Sequence, residues 1–263
     1  MAPRLIATDL DGTVLRSDGT VAPRTVTALR VAEERGITVV VATGRPPRWM
    51  RPVADALGHT GLAICANGAI VYDLHTDRVV EHTPITRAVV LEVIAAVRAA
   101  VPDASFAVES HERGFAREAE YPSARDADGV VVGVLDDIIG EDVVKLLVRH
   151  RHLDSDGLLA AAREVAGELA ELTHSSSSGL LEISASGVTK AATLARIAAG
   201  HGIEPTQAVA FGDMPNDLPM LAWAGTAYAM RNAHPDVLAA TEHVAPSNDE
   251  DGVAQVIETL LAI

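Results

Sequence analysis

Two carboxylates, Asp9 and Asp11, stand two residues apart just beyond the apolar run Leu5, Ile6 and Ala7, after Thr8, and Gly12 and Thr13 follow them. Charges that leave a buried strand are costly to desolvate unless something pairs with them. Three more polar groups end apolar runs elsewhere. "ITVVVAT" ends in Thr43, Gly44 and Arg45; "LAICA" is followed by Asn67 and Gly68; "AVAF" is followed by "GDMPND", which holds Asp213, Asn216 and Asp217. Ligands of open parallel sheets bind beyond the carboxyl ends of the strands, so these groups converge if the runs are neighbouring strands. Clustered carboxylates raise one another's pKa, and a divalent cation relieves the repulsion. The oxygen-only set Asp9, Asp11 and Asp213 suits Mg²⁺, and the Cys and His spacings expected of zinc are missing.

Glycines at positions 12, 44 and 68 allow sharp turns that bring backbone N–H groups towards an anion. Lys190 opens the helical pattern "KAATLARIAAG", where a cation opposes the helix dipole unless an anion sits nearby. Carboxylates, one metal, Thr, Lys and backbone amides together describe a phosphoryl-transfer site. Asp9 would attack phosphorus to give an aspartyl-phosphate, and Asp11 would protonate the leaving alcohol and then activate water. Each residue also has a plainer role open to it. Asp11-Gly12 is a common turn pair, Thr43 and Arg45 could cap the following helix, Asn216 is a good N-cap and Asp217 suits a first turn.

The elements that would position these residues alternate. Apolar runs at 5–8, 37–43, 62–66, 208–211 and 226–230 read as strands buried on both faces. "APRTVTALRVAEERG" has Pro23 in a first-turn position and stops at Gly36. The tail places Val253, Val256, Ile257, Leu260 and Leu261 at helical spacing. The reading is α/β, a parallel sheet with helices on both faces. From 84 to 186 the pattern becomes α+β, with helices expected at 87–101 and 155–170 and strands at "SFAVES", "GVVVGVL", "VVKLLVRH", "ELTHS" and "LLEIS". That segment reads as a second domain inserted into a discontinuous first one, 1–83 plus 187–263. "THSSSSG" reads as a turn between strands, and the alternating "RHRH" at 149–152 as a strand with His150 and His152 on one face.

The bulk numbers narrow the function classes. The 263 residues are 48% hydrophobic, enough for a sizeable core, and carry a formal charge of −15. Such a chain repels polyanions, which argues against nucleic-acid or anionic-membrane partners; "RPPRWMR" at 45–51 is the densest basic stretch and reads as a local anion site or a solvated helix start. The single cysteine, Cys65, reads as a buried thiol and suits a reducing compartment. The amino-terminal stretch enters a strand at once, leaving no room for a signal peptide, and no apolar run approaches the ~20 residues of a membrane span. The expectation is a cytoplasmic protein with a small-molecule partner and an oligomeric state left open.

"DLDGTVL", "ATGR", "GVTKAATL" and "GDMPNDLPML" resemble, in chain order, the four motifs of the haloacid dehalogenase superfamily, and "CANGAIVYD", "AMRNAHPDVLAAT" and "PSNDEDGVA" resemble its Cof-like branch. The resemblance implies a Rossmann-like core with an inserted α/β cap that selects the substrate. It implies Mg²⁺ held by Asp9, Asp213 and the main-chain carbonyl of Asp11, with Asp217 orienting the metal's water shell or Lys190. It makes Asp9 the nucleophile and Asp11 the acid/base, and gives phosphate and substrate contacts to Gly12, Thr13, Thr43, Gly44, Arg45, Asn67, Lys190 and Asn216. Ala191 and Arg231 stand where the family usually has Gly. The expected activity is a Mg²⁺-dependent phosphatase for small phosphorylated metabolites, most simply sugar phosphates. A phosphomutase on the same scaffold and a non-catalytic phospho-ligand sensor are the alternatives. Neither Gly-x-Gly-x-x-Gly nor a P-loop motif follows any strand, against a redox Rossmann enzyme and a P-loop kinase.

Overall fold

The computed structural model describes residues 3–58, 61–122 and 129–263. The first two residues of the amino-terminal stretch lie outside that range. The chain forms two compact units, 1–81 with 189–263, and 82–188.

The first sheet has eight strands: β1 Leu5–Thr8, β2 Thr38–Ala42, β3 Leu62–Cys65, β4 Ile70–Asp73 and β5 Arg78–His82, then, after the second unit, β12 Ala208–Gly212, β13 Thr226–Met230 and β14 His243–Ala245. Their spatial order is β14-β13-β12-β1-β2-β3-β4-β5. β1 pairs in parallel with β2 and with β12, and β2 in parallel with β3. All four residues of β1 are buried, which is why the run is continuously apolar rather than alternating. The five runs read as strands pair in parallel, as expected; β4, which the sequence reading did not pick out, adds antiparallel to β3. The turn Ala66–Gly68 is too short for a crossover helix, so the chain can only fold back beside β3.

Helices follow the patterns read from the sequence. Pro23–Glu34 begins with Pro at its first position, and Gly36 has the positive φ of a helix stop. Gly252–Leu261 buries Val253, Ile257 and Leu261, at roughly 1.5–3 kcal/mol for each such side chain. It packs on Pro23–Glu34, while Lys190–Gly200 packs on Leu218–Trp223.

The second unit carries a six-stranded sheet of β6 Ser105–Ser110, β7 Gly114–Arg117, β8 Val131–Val132, β9 Val143–Arg149, β10 Ala170–Thr173 and β11 Leu180–Ala185, in the order β10-β11-β9-β6-β7-β8. Phe106, Val108, Leu146, Val148, Leu181 and Ile183 join Val93, Val97, Leu158 and Ala162 of the helices Arg87–Ala100 and Ser155–Ala166 in one core. The alternate residues Glu109, Lys145 and Glu182 are buried too, and Lys145 Nζ is paired with Glu182. Three expectations fail here. The helix begun at 155 ends at Ala166, and Ala170 already belongs to β10, because Gly167 closes the helix. Only Val131–Val132 of "GVVVGVL" is strand, an exposed pair at the sheet edge; a short helix, Leu135–Ile138, follows. "RHRH" is not an alternating strand either: β9 ends at Arg149, and His150 Nδ1 accepts from the backbone N–H groups of His152 and Leu153 in a turn. "THSSSSG" does lie between the antiparallel strands β10 and β11.

Candidate active site

Four adjacent strands, β12, β1, β2 and β3, deliver their polar residues to one edge of the first sheet. Asp9 follows β1, Thr43 follows β2, Asn67 follows β3 and Asp213 follows β12. Parallel pairing aligns the carboxyl ends, so residues some 200 positions apart become neighbours: Thr13 Oγ1 donates to Asp213 Oδ1 at 3.0 Å, and Asp9 N–H donates to the Phe211 carbonyl at 3.0 Å.

Lys190 is the centre. Its side chain is fully buried, and Nζ donates to Asp9 Oδ1 at 2.5 Å and to Asp217 Oδ1 at 2.7 Å. These two carboxylates supply the anions that a lysine at a helix start requires. Burial works against its charge, but Asp217 and Asp9 outweigh burial and raise its pKa. Asp217 Oδ2 accepts from the backbone N–H groups of Asp213 and Met214, so both its oxygens are engaged.

Side-chain oxygens of Asp9, Asp213 and Asp217 lie within 4.8 Å of one another and could hold a metal ion. All three residues are buried. Three carboxylates face one ammonium, leaving two negative charges in excess if all are ionised. Burial drives the Asp9 carboxyl up; Lys190 pulls it down, Asp217 and Asp213 push it up, and the net direction is upward. Burial, and then Asp217, push Asp213 up to about 7. A divalent ion fits this excess in charge and in donor type.

Asp11 goes elsewhere. Its carboxylate accepts a two-pronged pair from Arg45, Nε at 2.8 Å and Nη2 at 2.6 Å, and its side chain is 56% exposed. That pairing raises the Arg45 pKa. Thr43 is buried, and its Oγ1 accepts from the Arg45 N–H at 3.1 Å, which leaves the hydroxyl proton to donate. Neither residue caps the short helix Pro47–Trp49, whose N-cap is Pro46 without a side-chain bond. Asn216 is no N-cap either: it lies inside the turn Pro215–Asp217 and its Nδ2 donates to Asn67 Oδ1 at 3.1 Å. The other amide atoms of this pair, Asn67 Nδ2 and Asn216 Oδ1, are buried without a hydrogen-bond partner. An orphaned buried N–H is costly unless a ligand meets it, and an anion would meet Asn67 Nδ2.

Two glycines of the site combine a left-handed backbone with no room for a side chain. A Cβ on Gly12, at φ +82°, would sit 2.2 Å from Asp213 Oδ2; one on Gly68, at φ +112°, would sit 2.3 Å from the Thr189 carbonyl oxygen. Gly44 is half-buried and does not share their left-handed backbone.

Some supports were not assigned from the sequence. Asn232 Nδ2 donates to the Gly12 carbonyl at 2.8 Å, Thr193 Oγ1 donates to the Gly68 carbonyl at 2.8 Å, and buried Asn248 donates to the Leu15 carbonyl at 2.8 Å. Thr193 sits mid-helix among small residues, and nothing local marks it. Asn232 and Asn248 lie in "RNAH" and "SNDE", whose turn-like composition masks a long-range role. Arg231 pairs with Glu250 at the surface.

The family profile for haloacid dehalogenase-like hydrolases matches residues 6–257. The chain belongs to that family. Over 266 residues this haloacid dehalogenase-like hydrolase is 28% identical to 5-amino-6-(5-phospho-D-ribitylamino)uracil phosphatase YitU of Bacillus subtilis, with 99% of this chain and 98% of that one covered. It is 31% identical over 271 residues to pyridoxal phosphate phosphatase YbhA of Escherichia coli, with 98% of each chain covered. The crystal structure of SMU.1108c from Streptococcus mutans is similar to it with a TM-score of 0.86 and 26% identity, over 100% of both chains. The chain is accordingly a haloacid dehalogenase-like phosphatase, a phosphoric monoester hydrolase.

Proposed function

We propose that this phosphatase hydrolyses small phosphorylated metabolites, sugar phosphates among them, with Mg²⁺ and through an aspartyl-phosphate. The carrying observation is the trio of buried carboxylates around buried Lys190 at the carboxyl edge of the sheet. The relatives named above act on a phosphorylated ribityl compound and on pyridoxal phosphate, both small monoesters.

Asp9, Asp213 and the main-chain carbonyl of Asp11 would hold Mg²⁺, which when bound supplies positive charge to the phosphoryl oxygens. Lys190, the Thr43 hydroxyl and Asn67 Nδ2 bind the remaining phosphoryl oxygens. An Asp9 carboxylate oxygen forms a bond to phosphorus as the bond from phosphorus to the leaving oxygen breaks. Asp11 gives that oxygen its proton, having exchanged Arg45 for the substrate. In the second half Asp11 takes a proton from water. The water oxygen bonds to phosphorus, the acyl-phosphate bond breaks, and Asp9 is restored with release of phosphate. Asp217 keeps Lys190 charged and in place. The inserted segment is proposed as the substrate-specificity domain, and the protein as cytoplasmic; no helix among the described residues is long and apolar enough to cross a membrane.

The test is phosphate release from a panel of phosphomonoesters, with Mg²⁺ and with EDTA, for the wild type and Asp9→Asn. Expected are Mg²⁺-dependent release and its loss in the variant. Isomerised product without free phosphate would instead identify a phosphomutase. Binding without turnover would identify a sensor.

A further inference from the structure

The stretch "RPPRWMR" is only partly absorbed by the site: Arg45 holds Asp11, and Arg51 pairs with Asp55. Trp49 has no such duty. The chain has two Trp, three Tyr and three Phe, and among the described residues Trp49 is the one aromatic in the set of exposed large apolar side chains, at 48% exposure. The Arg48 guanidinium lies over its ring, 5.1 Å from the centroid.

The ring is presented rigidly. Pro46 and Pro47 restrict the backbone on entry, Trp49 closes a one-turn helix by donating to the Pro46 carbonyl, and Met50, the next residue, is fully buried. The Arg45 carbonyl accepts from Ala66 N–H, tying the start of the segment to the end of β3. A large apolar ring held half in water by a buried neighbour costs little entropy to use as a contact. It is also near the chemistry. Three residues lie between Arg45 and Trp49, so their Cα atoms are at most about 15 Å apart. That bounds the span the organic part of a substrate has to cover.

We propose that Trp49, backed by Arg48, is a stacking platform for the organic part of the substrate, and that the preferred substrates are phosphate monoesters carrying a planar conjugated ring. This rests on the phosphatase reading and narrows it. An aromatic face gains on stacking with a planar π-system, and a guanidinium over the ring adds to that attraction; a saturated sugar meets the ring only through C–H groups, a weaker contact.

The experiment compares Trp49→Ala and Trp49→Phe with wild type on two planar esters, pyridoxal 5′-phosphate and uridine 5′-monophosphate, and two saturated ones, glucose 6-phosphate and glycerol 3-phosphate. Trp49→Ala should raise KM for the planar pair roughly tenfold, with kcat nearly unchanged, and leave both constants for the saturated pair within about twofold. Trp49→Phe should recover most of the loss. In Asp9→Asn protein carrying Trp223→Phe, so that Trp49 is the one indole left, pyridoxal 5′-phosphate should quench the fluorescence and glucose 6-phosphate should not. Equal effects on both ester classes, or none on either, would overturn the platform while leaving the phosphatase reading intact. Absence of turnover of every ester by the wild type would instead defeat the phosphatase reading, and the fluorescence titration would still decide whether Trp49 meets planar ligands.

Discussion

Lys190 holds the site together through charge. Two buried carboxylates, Asp9 and Asp217, share its ammonium, and Asp213 adds a third negative group without a cation of its own. Removing Lys190 leaves charge buried and uncompensated, so Lys190→Ala should destabilise the protein by about 3–5 kcal/mol in urea unfolding with EDTA present. Asp9→Asn removes a negative charge from the same cluster and should leave stability equal or higher while lowering phosphate release by about 10⁴-fold. Asp213 makes the metal's contribution depend on pH. Its folded pKa is raised to about 7 from an ordinary 3.8, so without metal the folded state holds a proton that the unfolded state has lost between those values. That stabilising contribution is complete below about 4 and disappears as pH rises through 7. A bound cation takes the proton's place. The rise in melting temperature on adding Mg²⁺ should therefore be larger at pH 8 than at pH 5.5, and an equal rise at both would count against Asp213 as a ligand.

At the scale of elements, close approach of backbones decides which glycines matter. The turn after β3 runs against the start of the helix Lys190–Gly200, and the Thr193 hydroxyl bonds the Gly68 carbonyl there. Gly68→Ala would press a methyl to 2.3 Å from a carbonyl that cannot move without moving Lys190. It should cost several kcal/mol, beyond the ~1–2 kcal/mol of a left-handed alanine alone, and depress activity. Gly36→Ala is the comparison, with a similar backbone at φ +78° and nothing within 4 Å of the new methyl. It should cost only that ~1–2 kcal/mol and leave kcat unchanged. Thermal unfolding and steady-state kinetics of the two variants separate these outcomes.

At the scale of the whole molecule, the chain is two compact units with separate sheets and cores. Every side chain of the carboxylate cluster belongs to the unit formed by 1–81 and 189–263. A ligand that binds only the folded form stabilises the unit that holds it. Hydrogen exchange of the backbone amides in β1 and β12 should slow by about tenfold or more on adding saturating Mg²⁺, while β6 and β9 change little. Matching protection in both sheets would show that the units open together.

Five of the eight strands of the first unit, its helices at 23–34, 190–200 and 252–261, and the polar residues at the strand ends are legible in the sequence alone. Runs such as "LIAT" and "AVAF" are buried on both faces, and a strand with two dry faces has few other compositions open to it. The helix start at Pro23 and the stop at Gly36 are legible because they act locally. The antiparallel β4, the early end of the helix at Ala166 and the edge pair Val131–Val132 were not, because each depends on what the segment meets in space. The same holds inside the site. Spacing places Asp9 and Asp11 on one short loop, but it is packing that turns Asp11 to Arg45 and, of the two roles open to Asp217, gives it Lys190 as its partner. A carboxylate goes to the cation that packing brings within reach, and that distance is set by strand neighbours, not by position along the chain.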